Sequence, residues 1–390
     1  MIDVVVVEAV RSPVGRRNGG LSTVHPADLL GAVFTAALDR SGVDPAEVGQ
    51  VVSGCVSQVG EQSFNVGRTA WLAAGLPMSV PNTTVDTQCG SSQQAAGLAA
   101  SLIASGTVDV AIAGGVESMT RIPIGSNTKA GPGRAIPKSY FGRFEFTSQF
   151  EGAERIAEKW GIDREAADRF GLTSQERAIN AWAEERFATQ VVPIQAPVVD
   201  DEGKPTGDTL EVSRDEGLRQ TTLEALAGLK PVGRPDGVHT AGTSSQISDG
   251  AAAVMMMMSA ERASSLGLTP KARVAAHCLV GVDPVLMLTG PIDATQLLLE
   301  RGSIGIHDVD VFEINEAFAS VVLAWQAELG ADPAAVNPNG GAIALGHPLG
   351  GTGVILLTKA IHELERIDGR RALVSMCCGG GLGTGTLLER

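Results

Sequence analysis

The sequence has few cysteines and no long hydrophobic run. Its 390 residues include five cysteines, an odd number without the spacing of a disulfide framework or a zinc site, so we expect free thiols, a reducing compartment and no structural metal. No apolar stretch approaches the ~18 residues that a membrane span requires. The start of the chain, Met1–Val7, includes the acidic Asp3 and reads as a core strand rather than a signal peptide. These features predict a cytoplasmic protein without a membrane partner.

The sequence also lacks an excess of basic residues. It has 30 lysines and arginines against 44 acidic residues, a formal net charge of −14. Phosphate backbones are bound by clustered Lys and Arg, so nucleic acid is excluded as the expected partner. Hydrophobic residues make up 44% and charged residues 19% of the chain, which contains 48 glycines. This composition indicates a globular α/β protein, long enough for two or three domain-sized cores.

Strand-like and helix-like segments alternate at both ends of the chain, which predicts βαβ units around a buried sheet. In the first 118 residues the segments are Val4–Val7, Pro26–Ser41, Val51–Val52, Asn65–Ala74, Thr83–Val85, Ser91–Ser105 and Val108–Ala113. Residues 270–390 repeat the rhythm with Ala272–Ala275, Pro291–Arg301, Val309–Glu313, Ala317–Gly330, a helix over His347–Leu364 and Ala372–Met376. The two ends are therefore expected to be copies of one fold, related by a pseudo-twofold axis.

Residues 119–248 interrupt this rhythm. We expect an irregular loop over Ile122–Pro137, helices over Glu151–Trp160 and Arg164–Phe187, a strand over Val191–Val199 and a turn over Asp200–Asp208. The predicted organisation is an N-terminal half of residues 1–118 plus about 249–269, an inserted loop domain of residues 119–248 that binds ligand, and a C-terminal half of residues 270–390. Ala251–Ser259, with four consecutive methionines, is expected to be a buried strand or helix.

Three reactive residues, far apart in sequence, are each framed by small residues: Cys89, His347 and Cys377. A thiolate accepts an acyl group, an imidazole removes the thiol proton, and a second sulfur transfers a proton on carbon. Cys89 precedes a predicted helix, whose N-terminus favours the thiolate. The alternatives are a buried structural cysteine and a histidine that merely starts a helix.

Ordered motifs over the whole chain resemble the thiolase family, the acyl-CoA:acetyl-CoA acyltransferases. The resemblance is carried by Asp86–Ala95, Gly114–Met119, Thr240–Ala252, Glu313–Ala319, Asn337–Gly353 and Cys377–Gly385. It implies an α/β fold in which two duplicated halves form a layered α-β-α-β-α sandwich with an inserted loop domain. It also implies homodimers or homotetramers.

The resemblance implies a role for each reactive residue. Cys89 would be acylated, His347 would activate it, and Cys377 would act as acid and base on the acetyl group. One oxyanion hole would combine His347 with a water held by Asn315, and the other would use the N–H groups of Cys89 and Gly379. Asn315 has a simpler alternative as a helix cap. Side chains alternate along an extended segment, so Cys378 is expected to point away from Cys377.

The implied activity is thiolytic cleavage of a 3-ketoacyl-CoA, with coenzyme A as co-substrate and no permanently bound cofactor. The alternatives are a biosynthetic acetoacetyl-CoA thiolase, a ketoacyl synthase and a non-catalytic acyl-CoA-binding protein. The family pattern places CoA beside Ser244 and Ser245, and we add Arg219 for its phosphates and Met287 as a further substrate contact.

The chain departs from the common family pattern at three places. These are Gly90-Ser91-Ser92 after the nucleophile where Ser-Gly is common, Gly351-Thr352-Gly353 where Ala-Ser-Gly is common, and Thr243 where asparagine is frequent. The departures leave every proposed catalytic group in place and alter the pocket. Together with their surroundings they are similar to degradative thiolases of actinobacterial lipid and sterol catabolism, which points to a bulky 3-ketoacyl-CoA.

Overall fold

A computed structural model describes residues 2–129, 131–200, 202–251 and 254–390. The strands in these ranges are β1 (Val4–Val10), β2 (Gly15–Arg16), β3 (Gln50–Gly54), β4 (Asn82–Val85), β5 (Val110–Ser118), β6 (Ile194–Val199), β7 (Pro205–Val212), β8 (Ser248–Ala251), β9 (Val254–Ser259), β10 (Ala272–Gly281), β11 (Val311–Ile314), β12 (Arg371–Cys378) and β13 (Leu382–Glu389).

The helices of the same ranges flank these strands. They are α1 (Pro26–Ser41), α2 (Val66–Ala73), α3 (Ser91–Ala104), α4 (Ser126–Lys129), α5 (Gln149–Trp160), α6 (Arg164–Ala183), α7 (Leu223–Ala227), α8 (Ala260–Ser265), α9 (Gly290–Gly302), α10 (Ala319–Leu329), α11 (Ala342–Leu345) and α12 (Thr352–Ile367). None of the helices in this part of the chain is long and apolar enough to cross a bilayer.

The elements stack in five layers, because alternate residues of each strand face different helices. In β1, Val4 and Val6 pack in one core with residues of α3 and α12, whereas Val5 and Val7 pack with α1 and α2. On the other side, α9 and α10 share a core with β11 and β12. The order is therefore α1/α2, the strands of the N-terminal half, α3/α12, the strands of the C-terminal half, and α9/α10, which confirms the expected α-β-α-β-α arrangement.

The strand order shows the duplication directly. In the N-terminal half, β1 and β5 each pair antiparallel with β9, and β5 pairs parallel with β3. In the C-terminal half, β10 and β12 each pair antiparallel with β13, and β12 pairs parallel with β11. The equivalent strands β1 and β10 pair antiparallel with each other and join the two halves into one sheet. The predicted repeat is thus present at the level of strand pairing.

The segment with consecutive methionines, expected to be a buried strand or helix, is strand β9. β9 lies between β1 and β5 in the sheet, and Met256 and Met258 face the outer core while Met257 faces the middle layer. A strand with both faces covered reads as a continuous apolar run in the sequence.

Several predicted boundaries differ from the structure. The helix expected from His347 begins at Thr352, because Pro348 and two glycines first form a turn in which the Thr352 N–H bonds to the Pro348 carbonyl. The Asp200–Asp208 turn gives way to strand β7 at Pro205, paired with β6. The predicted loop over Ile122–Pro137 contains the short helix α4.

Helices α3 and α12, which form the middle layer, contact each other at a glycine. A Cβ atom added at Gly353 of α12 would lie 2.4 Å from the backbone N of Gln93 in α3. Real Cβ atoms do not approach backbone so closely, so a larger residue must push the helices apart. The glycine therefore sets the spacing between the halves at this point.

We predict that Gly353→Ala lowers the free energy of unfolding by about 1–3 kcal/mol, the usual cost of overpacking a filled core. Urea denaturation of the purified protein measures this. Gly281→Ala is the matched control, since nothing lies within 4 Å of a Cβ at that exposed position. Equal stabilities for the two variants would contradict the proposed close contact.

Candidate active site

One cavity of about 330 Å³ brings together residues from both halves and from the segment between them. Cys89, His347 and Cys377 all lie in its wall. The other lining residues are Met119, Ile124, Gln149, Phe150, Ser244, Ser245, Gln246, Ile247, Leu288, Ala317, Phe318 and Leu349. The three reactive residues predicted from sequence therefore face one enclosed space, which a sequence by itself could not show.

Cys89 sits in a tight turn at the start of α3. The preceding residue, Gln88, has a φ of 52°, a left-handed conformation that side chains rarely adopt. Ser91 closes the turn, since its hydroxyl donates to the Gln88 carbonyl at 2.6 Å and accepts the Thr87 N–H at 2.9 Å. A Cβ at Gly90 would lie 2.7 Å from the Cys378 sulfur, so only glycine fits there. Backbone strain of this kind is typical of functional sites.

The thiol of Cys89 is neutral in the resting site. Burial raises its pKa to about 12, although the N–H groups of Gly379 and of Cys89 itself hydrogen-bond the sulfur and act in the opposite direction. The backbone N–H groups at the helix start favour the thiolate, as expected, but the cost of burying a charge outweighs them in the resting protein. A base must remove the proton during the reaction.

His347 lines the same cavity and is held there by two hydroxyl groups. Its N–H bonds to the Ser248 hydroxyl at 3.0 Å, and its Nδ1 lies 2.7 Å from the Thr352 hydroxyl. That hydroxyl donates its one hydrogen to the Pro348 carbonyl at 2.9 Å, so it must accept from Nδ1–H. The lone pair of the ring is then on Nε2. Burial also lowers the pKa of His347 to about 4, which keeps the imidazole neutral at pH 7.

Asn315 contacts the reactive nitrogen of His347. Its Nδ2 donates to His347 Nε2 over a long distance of 3.4 Å, and both residues are buried. The alternative of a helix cap was wrong, because Asn315 lies just after β11 and the N-cap of α10 is Phe318. Its backbone N–H bonds to the Ser375 carbonyl of β12 at 3.0 Å, which fixes the amide beside the imidazole.

The vicinal cysteines at the end of β12 point in different directions. Cys377 lines the cavity and packs with Met287, Leu288 and Phe318. Cys378 lies in the middle-layer core and is absent from the cavity wall. This is the alternation expected for extended backbone. Burial and the neighbouring sulfurs raise the pKa of Cys377 well above its usual value, so it too is a neutral thiol that holds a proton.

The residues predicted to contact CoA are distributed around the cavity. Ser244 and Ser245 line it, and Ser245 is held by its N–H bond to the Ala317 carbonyl at 2.9 Å. Arg219 is exposed and lies outside the wall, with its guanidinium 3.3 Å from the lining residue Gln246. Met287 lies behind the wall, next to the lining residue Leu288.

The structure adds residues to which the sequence analysis gave no role. Thr352 fixes the imidazole tautomer, although it was noted only as a departure from the family pattern. Phe318 lies within the quoted motif Glu313–Ala319 and stacks edge to face on Phe150 at 5.2 Å. A signal existed for Thr352, since a hydroxyl residue on the first turn of the helix after a histidine can reach its ring. Phe150 carried no such signal.

Comparison with known proteins agrees with this geometry. The family model for the thiolase N-terminal domain matches residues 4–260, and that for the thiolase C-terminal domain matches residues 268–390. A steroid 3-ketoacyl-CoA thiolase of Mycobacterium tuberculosis is 47% identical over 100% of this chain and 95% of its own length. A beta-ketoadipyl-CoA thiolase of Escherichia coli is 43% identical and a 3-ketoacyl-CoA thiolase of Bacillus subtilis is 40% identical, each over 100% of both chains. The chain belongs to the thiolase family of acyltransferases.

Proposed function

We propose that this protein cleaves a 3-ketoacyl-CoA with coenzyme A to give acetyl-CoA and a shortened acyl-CoA, through an acyl-enzyme on Cys89. The observation that supports it best is the convergence of Cys89, His347 and Cys377 on one enclosed cavity. A non-catalytic acyl-CoA-binding protein would not need two thiols and a neutral imidazole in the same wall. The direction is degradative, since relatives at 40–47% identity are named 3-ketoacyl-CoA thiolases.

The first half-reaction transfers the acyl group to sulfur. His347 Nε2 takes the proton of Cys89, and the sulfur attacks the 3-keto carbon of the substrate. The bond between C2 and C3 then breaks, and its electron pair leaves with the acetyl-CoA fragment as an enolate. Cys377 gives its proton to C2, which completes acetyl-CoA. A proton donor is needed at this point because the leaving carbanion must be protonated to become acetyl-CoA, and the neutral thiol of Cys377 lines the same cavity.

The second half-reaction releases the acyl group. Coenzyme A loses its thiol proton to the Cys377 thiolate, attacks the thioester on Cys89 and leaves as acyl-CoA. Cys89 then recovers its proton from His347. We propose that the Cys89 and Gly379 N–H groups, which lower the pKa of the Cys89 thiol against the effect of burial, bind one oxyanion, and that His347 with a water on Asn315 binds the other. One such donor contributes roughly 3 kcal/mol.

CoA is proposed to enter beside Ser244 and Ser245, with its phosphates towards Arg219. The exposed Arg219 guanidinium sits at the outer side of Gln246, and guanidinium groups pair well with phosphate oxygens. Met287 is proposed to act indirectly, by supporting Leu288 in the wall.

The substrate is proposed to carry an uncharged, apolar acyl chain, as in lipid or steroid side-chain β-oxidation. The cavity is walled by Met119, Ile124, Phe150, Leu288, Phe318 and Leu349. Among the lining residues there is no lysine or arginine, and His347 is neutral. A chain ending in carboxylate, as in beta-ketoadipyl-CoA, would bury an unpaired charge here, which is costly.

We also propose that residues 119–248 form a loop domain that covers the site, between an N-terminal half of residues 1–118 plus about 249–269 and a C-terminal half of residues 270–390. A cytoplasmic location is proposed because all five cysteines are free thiols.

The assembly is proposed to be a homodimer or homotetramer. The edge of the sheet at β4 is open, and near it Phe64 and Met78 are 93% and 82% exposed. An open strand edge with exposed apolar neighbours favours pairing with a second copy.

The proposed activity predicts turnover with apolar 3-ketoacyl-CoA esters. Purified protein is mixed with CoA and acetoacetyl-CoA, a long-chain ester, a steroid-type ester or 3-oxoadipyl-CoA, and loss of the keto ester is followed. We expect kcat/KM for the apolar long-chain or steroid ester to exceed that for 3-oxoadipyl-CoA by at least about 10²-fold, because the carboxylate lacks a partner. No turnover with any ester would contradict thiolase activity, and a preference for 3-oxoadipyl-CoA would contradict the substrate class alone.

Replacement of the proton-transferring thiol should separate the two chemical steps. We expect Cys377→Ala to lower kcat of thiolysis by about 10²–10⁴-fold, the usual contribution of a general acid. Acylation of Cys89 by a simple acyl-CoA, detected by mass spectrometry, should persist. Cys378→Ala is the matched control and should retain activity, since its sulfur faces the core. If Cys378→Ala lost activity while Cys377→Ala kept it, the proton-transferring thiol would be Cys378 and the assignment would be reversed.

The Thr352 hydroxyl should matter through the imidazole tautomer. Thr352→Val keeps the shape of the side chain and removes the acceptor for Nδ1–H, so the proton can move to Nε2 and block the base. We expect the rate of Cys89 acylation, measured by rapid quench, to fall about 10-fold or more, within the range that general base catalysis contributes. Thr352→Ser restores the hydroxyl and should recover the rate. Equal acylation rates for Thr352→Val and the wild-type protein would contradict this role.

A further inference from the structure

Glu117 is a buried carboxylate that the proposed mechanism does not use. It lies near the end of β5 in the N-terminal half, with none of its surface exposed. Burying a carboxylate is costly unless its oxygens are well bonded, so such a residue needs an explanation. Its motif, Gly114–Met119, was one of those that carried the family resemblance, and no catalytic step has been assigned to it.

Four neutral donors converge on this carboxylate. One oxygen accepts the N–H groups of Val56 at 2.9 Å and of Gly350 at 3.0 Å. The other accepts the N–H of Ser57 at 3.0 Å and the side-chain amide of Gln62 at 2.7 Å. All four groups donate, so they suit an ionised carboxylate, which only accepts. Three of them belong to the N-terminal half, and the fourth belongs to the histidine loop of the C-terminal half.

The histidine loop, residues 347–351, is held at two points by the neighbouring strands β5 and β8. The N–H of His347 bonds to the Ser248 hydroxyl of β8, and the N–H of Gly350 bonds to Glu117 of β5. Strands β5 and β8 are paired, with Glu117 opposite Gly250. The two anchors therefore form one rigid platform beneath the loop that carries the base.

The platform is in direct backbone contact with the loop. A Cβ added at Gly115 of β5 would lie 2.4 Å from the Gly350 carbonyl oxygen, and a Cβ at Gly350 would lie 2.7 Å from the Cα of Cys55. Glycine at both positions lets the loop settle against the strand. The Glu117 carboxylate accepts the Gly350 N–H directly, so a shift of the carboxylate changes the position of Gly350 without an intervening group.

The charge of Glu117 does not itself activate the nucleophile. A negative charge at this position raises the pKa of Cys89, which opposes formation of the thiolate. A benefit to catalysis must come from geometry. We propose that Glu117 is a positioning residue, which holds the loop of His347 at the distance from Cys89 at which the proton can be transferred. This inference rests on the proposed role of His347 as the base.

Glu117→Gln is the informative substitution, because it keeps the size of the side chain. The amide retains one acceptor oxygen but turns an NH₂ group towards two of the four donors. One pair of donors then loses its acceptor. That pair is the N–H groups of Gly350 and Val56, or the N–H of Ser57 and the amide of Gln62, depending on which way the new amide turns. We expect kcat for thiolysis to fall about 10²-fold, as misplacement of a catalytic group by about 1 Å can do, with KM changed less than about threefold because the CoA contacts are elsewhere.

A double-mutant cycle distinguishes positioning from general damage. The rate of Cys89 acylation is measured by rapid quench for wild type, Glu117→Gln, His347→Ala and the double variant. If Glu117 acts through His347, the double variant is no slower than His347→Ala, since the base is already absent. Glu363→Gln is the control, a buried carboxylate bonded to Asn339 and Arg366 near the far end of α12, and should keep wild-type kcat.

The inference is overturned if Glu117→Gln turns over at the wild-type rate. It is also overturned if the double variant acylates Cys89 more slowly than His347→Ala, by the same factor that Glu117→Gln loses in the wild-type background. An inactive wild type would instead refute the proposed function. If Glu117→Gln does not fold, Glu117→Asp keeps the charge and shortens the side chain by one methylene. The same fall in kcat at unchanged KM, and the same absence of further loss with His347→Ala, are then required of Glu117→Asp, and a wild-type rate overturns the inference.

Discussion

The packing of α3 against α12 is the contact on which the rest of the structure depends. The two helices fill the layer between the strands of the two halves. Cys89 lies two residues before the start of α3, and His347 lies five residues before the start of α12. Glycine at position 353 sets how closely the helices approach. Since the nucleophile belongs to one half and the base to the other, the separation of these helices also sets the separation of thiol and imidazole.

Burial of that helix pair determines the electrostatics of the site. In an enclosed apolar space the uncharged forms of both groups are favoured, so the pKa of Cys89 is raised and that of His347 is lowered. A thiol and an imidazole that are both neutral do not react with each other at rest. The thiolate–imidazolium pair of Cys89 and His347 forms when backbone N–H groups can stabilise the negative charge, which moves from the sulfur to the substrate oxygen as the sulfur attacks. Because the apolar wall disfavours that pair at other times, the site reacts only in the acylation step.

Much of the fold was predictable because its signals are local. Strand and helix periodicity gave the repeat, and the outward and inward valines of β1 follow from alternation within one strand. The start of α12 was missed because the turn made by Pro348 and its glycines resembles a helix start in sequence. The contact between Thr352 and His347 had a local signal that was not used, whereas the direction of the Thr352 hydroxyl, which sets the tautomer, is not visible in sequence. The four donors around Glu117 could not be predicted, since they lie more than fifty residues from it along the chain.

The duplication has a consequence for the number of sites. Each half contains the same strand pairings and contributes one helix to the middle layer, yet the first carries a cysteine where the second carries a histidine. Two identical halves around the same axis would present two equivalent clefts with matching groups. Divergence of the copies has removed that symmetry, so the cleft that holds Cys89 and His347 has two different ends. The loss of symmetry between the copies therefore gives this cleft a chemical polarity, with a thiol from one copy and an imidazole from the other.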